Sequence, residues 1–175
     1  MCARSGTILV REEARWAVRR RPSEVARMAR MDRLTPQAVE KELRRALKRG
    51  ARASRLIKFG AELVDILVPR AEVDNGDPQS ETPMHDRAID AEIMLRKAIS
   101  ALGGQSAEAL EILYCLKSGT LGLTLEQRRQ QAGQLWSIQA DTFRRRVHEG
   151  LLIWDLAVET YGEIARRQSH RTTRP

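Results

Sequence analysis

Two cysteines, two tyrosines, two phenylalanines and three tryptophans are all that this 175-residue chain carries of those residue types. Cys2 and Cys115 cannot build a disulfide scaffold, and their spacing is not that of metal ligands. Cys115 falls in a helical apolar pattern and reads as a small core residue. His85, His148 and His170 are isolated from one another and from both cysteines, which argues against a metal site. Gly103-Gly104 has no lysine after it and reads as a helix end, not a phosphate loop. Neither a nucleophile elbow, nor paired catalytic carboxylates, nor a Cys–His arrangement is visible, so the chain reads as a non-enzyme without a cofactor. No stretch approaches the roughly 18 apolar residues of a membrane span. The opening residues hold no apolar run of signal-peptide length, and the expected location is a reducing cytoplasm. β-branched residues are scattered, and Thr7-Ile8-Leu9-Val10, the one strand-like stretch, has nothing to pair with.

What the chain has is helix-forming composition and positive charge. Apolar residues make up 42%, enough for a buried core at this length, and Ala, Leu, Arg and Glu favour helix. The net charge of +8 is unevenly placed: residues 1–70 carry +10, residues 71–95 carry −6 and residues 96–175 carry +4. A basic block and a basic tail around an acidic middle point to an anionic partner, nucleic acid first.

The expected fold is all-α, a helical bundle in two parts with a helix-turn-helix-like hairpin in the C-terminal half. Residues 1–69 form a basic helical region, with helices over 11–21 around Trp16 and over 24–33 with Met28 and Met31 on one side. Thr35-Pro36 is a strong start signal, a capping hydroxyl followed by proline in the first turn. The helix opened there puts Ala38, Val39, Leu43, Ala46 and Leu47 on one face and Lys41, Arg44, Arg45, Lys48 and Arg49 on the other. Ser54 to Val68 is apolar most of the way round, which predicts one well-buried helix or a pairing surface for a second copy.

Residues 70–85 form a polar, acidic linker rich in turn residues. In residues 86–168, helices are expected from Asp86 to Leu102, from Ser106 towards Ser118-Gly119, and from Thr124, where Gln127 completes a capping box, to about Trp136. A last helix over 140–167, bent at Gly150, should turn Phe143, Val147, Leu151, Trp154, Val158, Tyr161 and Ala165 inward. Trp136, Trp154 and Met94 sit at core spacing. Residues 169–175 read as a disordered basic tail.

Residues 129–148 fit a helix-turn-helix template. Gly133 is the small residue where the second helix crosses, Trp136 ends the first helix, Ile138 is the apolar turn residue and Phe143 anchors the second helix. The second helix then offers Gln139, Thr142, Arg144, Arg145 and Arg146 to phosphates and base edges. The alternative for the arginines is a solvated helix face paired with Glu149.

Leu123 to Arg146, LTLEQRRQQAGQLWSIQADTFRRR, resembles a helical module widespread in actinobacterial proteins, and its turn and second helix are similar to the last helix-turn-helix of sigma factors. The matching residues are Arg128, Arg129, Ala132 and Thr142 to Arg146. The likeness covers about residues 95–167, and Ser137 and Gln139 depart from it, where the family has glycine and serine. It implies a regulator or an adaptor. The nucleic-acid-binding set is accordingly Gln139, Thr142, Arg144, Arg145, Arg146, Arg128 and Arg129 with Lys41, Arg44, Arg45 and Lys48. The expected function is a transcriptional regulator that binds double-stranded DNA, as a monomer or a homodimer. The rival is an adaptor that docks helical protein partners through apolar faces and has no nucleic-acid role.

Overall fold

Thr35 opens the first helix as the pattern requires: its hydroxyl accepts from the Ala38 N–H at 3.2 Å, and α1 runs over Pro36–Arg49. Val39, Leu43, Ala46 and Leu47 are buried, while Lys41, Arg44, Arg45, Lys48 and Arg49 face solvent. The computed structural model describes residues 34–70 and 83–172, with side chains as far as Ser169. The expected helices over 11–21 and 24–33, with Trp16, Met28 and Met31, lie outside the described residues, as do Cys2 and most of the acidic linker.

The apolar stretch after Gly50 is two helices instead of one, α2 (Ala53–Phe59) and α3 (Ala61–Leu67). Gly60 breaks it. A Cβ at Gly60 would lie 2.8 Å from Leu56 Cδ2, so a larger residue there would have to displace the end of that side chain. The break also resolves the all-round apolar pattern: Leu56, Leu63, Val64 and Leu67 turn inward, and Ile57 and Phe59 remain outside. The Arg49 guanidinium lies 5.0 Å above the Phe59 ring.

Beyond the linker come α4 (Met84–Leu102), α5 (Gly104–Leu113), α6 (Leu125–Gln134), the one-turn α7 (Ala140–Phe143), a π turn (Arg146–Gly150) and α8 (Leu151–Thr172). All the secondary structure is helical, with no strand among the described residues. The Thr124–Gln127 capping box forms, with the Gln127 N–H donating to the Thr124 hydroxyl at 3.2 Å and the Thr124 N–H to Gln127 Oε1 at 2.9 Å.

α1 packs on α8 and α2 packs on α4, so helices from before and after the linker share one core. The described residues from Thr35 onward belong to one compact unit, and the boundary expected at 70–85 divides residues that pack together.

The long C-terminal helix is also interrupted. α7 ends at Phe143, Arg145 is extended (φ −65°, ψ 155°), and the chain re-enters helix through the π turn. This break shifts the helical phase. Leu152, Ile153, Leu156, Ala157 and Ile164 are buried, whereas Val147, Leu151 and Val158, expected inside, lie outside. α8 continues to Thr172, past the expected end at Arg167 and into the stretch expected to be disordered.

Candidate nucleic-acid interface

α6 and the turn that follows it come into close contact at Gly133. A Cβ at Gly133 would come within 2.6 Å of the Ile138 carbonyl oxygen, which leaves room for glycine alone between α6 and the turn. Ser137 takes φ 57°, the left-handed conformation that glycine would adopt without strain. The Trp136 and Phe143 rings stack at 5.9 Å between centroids, and Phe143 is fully buried. The second helix departs from the template. At 1.5 Å per residue, the four residues of α7 extend about 6 Å, one turn only. Arg144, Arg145 and Arg146 occupy the end of α7, the extended link and the start of the π turn, not the face of one recognition helix.

Two of the expected contact residues point into the protein. Arg128 is 2% exposed. Its Nη1 donates to the Leu47 carbonyl at 3.0 Å and to the Leu113 carbonyl, and its Nη2 donates to the Lys48 carbonyl at 3.3 Å. It therefore caps the C-terminal ends of α1 and α5 at once, where carbonyls lack intrahelical donors and a cation is favoured. Burial lowers its pKa, opposing its charge. Arg129 forms a two-pronged pair with the buried Glu149, Nε to Oε2 at 2.6 Å and Nη2 to Oε1 at 2.9 Å. That bond holds Arg129 in its charged form.

The other nine residues of the expected set reach the surface. Gln139 is exposed and Thr142 half-buried. Arg144 is exposed and lies 3.6 Å from Asp141. Arg145 and Arg146 are exposed and form no ion pair among the described residues. Glu149, their expected partner on a merely solvated face, is occupied by Arg129. On α1, Arg44 pairs with Glu40 at 2.7 Å and Arg45 with Glu42 at 2.8 Å, while Lys41 and Lys48 are exposed without an ion pair among the described residues.

The two basic groups, far apart in sequence, approach each other at Gly150. A Cβ there would lie 3.1 Å from Arg146 Cγ and 3.6 Å from Arg44 Nη2.

Several other arginines brace backbone carbonyls, a role that their charge and spacing do not announce. Arg52 Nε donates to the Cys115 carbonyl at 2.7 Å and Arg96 Nη2 to the Leu116 carbonyl at 3.1 Å. Arg55 reaches the Arg49 and Leu121 carbonyls at 2.7 and 2.8 Å. Arg87 is buried, pairs with Asp65 and donates to the Val68 carbonyl beyond α3 at 2.7 and 2.9 Å. The signal for this role is an arginine whose helical position falls on the buried side, as Arg87 and Arg128 do. Beside the hairpin, Trp136, Phe143, Val147, His148, Leu151, Leu152 and Asp155 line a cleft of about 170 Å³.

Among the described residues, no group of histidine, cysteine or carboxylate side chains could hold a metal, and no helix is long and apolar enough to cross a membrane. The chain matches no protein-family model, no curated protein and no solved structure.

Proposed function

We propose that this chain is a DNA-binding regulator that grips double-stranded DNA mainly through its phosphate backbone. The observation that carries the reading is the engagement of Glu149 by Arg129, which leaves Arg145 and Arg146 exposed without a neutralising carboxylate among the described residues. Arg44 on α1 stands beside Arg146, and Lys41 and Lys48 extend the cationic surface along that helix. Backbone contacts of this kind set position and affinity without reading sequence. A one-turn α7 gives Gln139 and Thr142 a small share of any base contact. The test is fluorescence anisotropy of a labelled duplex across a salt series. The expected result is affinity that falls steeply with salt, with a log–log slope of several; absence of binding at low salt overturns the reading.

A second reading, the adaptor, is favoured by one observation. Val147 is 63% and Leu151 53% exposed beside the Trp136–Phe143 cleft, on a face a partner helix could cover. Capture of a protein partner that persists in high salt, together with no DNA binding, is the outcome that favours it.

A further inference from the structure

We infer that Arg44 and Arg146 act together on a single backbone phosphate of the bound nucleic acid, closing on it from two elements that meet at Gly150. The inference rests on the proposed function and assigns it a specific contact. Gly150 is buried at the end of the π turn, and a Cβ there would crowd the stem of Arg146, in the same turn, at 3.1 Å from Cγ. The same point lies 3.6 Å from Arg44 Nη2, so the stem of one arginine and the head of the other flank one backbone position.

Local charge sets the class of ligand. Glu40 takes Arg44 through Nε at 2.9 Å and Nη2 at 2.7 Å, both on one carboxylate oxygen, and fixes the direction of that guanidinium. Nη1 of Arg44 forms no hydrogen bond among the described residues. Glu149, next in sequence to Gly150, has both oxygens on Arg129. Arg44 is thus held by Glu40 and Arg129 by Glu149, while Arg146 has no carboxylate partner among the described residues, and a phosphodiester supplies the negative charge that Arg146 lacks. Two guanidiniums on one phosphate also make the planar, forked contact for which arginine is suited and lysine is not.

The experiment measures duplex binding by the full chain and by R44Q, R146Q and R44Q/R146Q in a salt series, with thermal melts to establish that all four are folded. A shared phosphate predicts that the two single losses in affinity are non-additive and that the double variant's log–log slope drops by the share of one phosphate, about 0.9. A drop of about 1.8 means two separate phosphates and overturns the inference while leaving DNA binding in place. An unchanged slope overturns it too. Lack of salt-dependent binding by the unaltered chain defeats the proposed function itself.

Discussion

Arg129 and Glu149 are joined by two parallel hydrogen bonds of 2.6 and 2.9 Å, which tie α6 to the π turn across the one-turn α7. The pair determines what is left on the surface: with Glu149 turned inward, Arg145 and Arg146 face solvent with no carboxylate partner among the described residues. Glu149→Ala would leave the largely buried Arg129 guanidinium unpaired except for a distant Glu126 at 3.8 Å. Breaking a buried pair on one side costs about 3–5 kcal/mol, and partial exposure of Arg129 places this case near the lower figure. Urea denaturation of the variant measures it; a loss of a few tenths of a kcal/mol would show that the pair is not a structural tie.

Arg128 separates a structural role from a binding role. Arg128→Met removes the donors for the carbonyls of Leu47, Lys48 and Leu113 and is expected to destabilise the fold by about 3 kcal/mol or more, since buried acceptors then lose their partners. Arg128→Lys should recover little, because one ammonium cannot reproduce the forked reach to two helix ends. Thermal melts followed by circular dichroism decide the point. A variant that melts like the unaltered chain but binds DNA less would return Arg128 to the interface.

The turn of the hairpin carries two opposite expectations. Gly133→Ala places a Cβ 2.6 Å from a backbone oxygen and should cost about 1–3 kcal/mol, the usual penalty for overpacking. Ser137→Gly removes the strain of φ 57° and should stabilise by about 0.5–1 kcal/mol, the left-handed penalty less the added freedom of the unfolded chain. Equal and neutral effects in denaturant titrations would contradict the turn geometry.

Glu163 gives the fold a dependence on pH. It is buried on α8, bonded to Lys97 of α4 at 2.6 Å and to Arg166 at 3.1 Å, with Arg167 3.6 Å away. The Lys97 hydrogen bond is the main cause that holds its carboxyl below the usual carboxylate range, against the opposing effect of burial. A carboxylate whose folded pKa is depressed contributes stability that is complete above its unfolded pKa and is lost as pH falls through the folded value. Stability should therefore decline as pH drops below the ordinary glutamate range, and Glu163→Gln should flatten that decline. Melting temperatures of both proteins across acidic pH provide the check; superimposable profiles would refute the role of Glu163.

Much of the fold is legible in the sequence where the cause is local. Thr35-Pro36, the Thr124–Gln127 capping box and the glycine at 133 all depend on residues a few positions apart, and each does what its spacing requires. The elements that differ from expectation depend on tertiary context. Residues 140–167 present two apolar faces at helical spacing, 147-151-154-158 and 152-153-156-157, and periodicity alone does not choose between them. The extended conformation at Arg145 and the π turn choose the second. Gly60 likewise divides a segment whose composition reads as one continuous helix. For the arginines, charge is visible in the sequence and direction is not: Arg128 and Arg129 stand beside exposed Gln127 and Gln130, and only the packing of α6 on α1 and α5 turns them inward.

The central claim, that the surface joining α1 to the Arg144–Arg146 segment binds duplex DNA through phosphates, is tested most directly by removing exposed cations that have no ion pair among the described residues. The measurement compares the unaltered chain with K41Q/K48Q/R145Q on one labelled duplex over a salt series, after melts show equal stability. If all three reach phosphates, the log–log slope of the variant should be smaller by about 2.7, and its affinity at low salt much weaker. Equal slopes and affinities for two equally folded proteins would contradict the account.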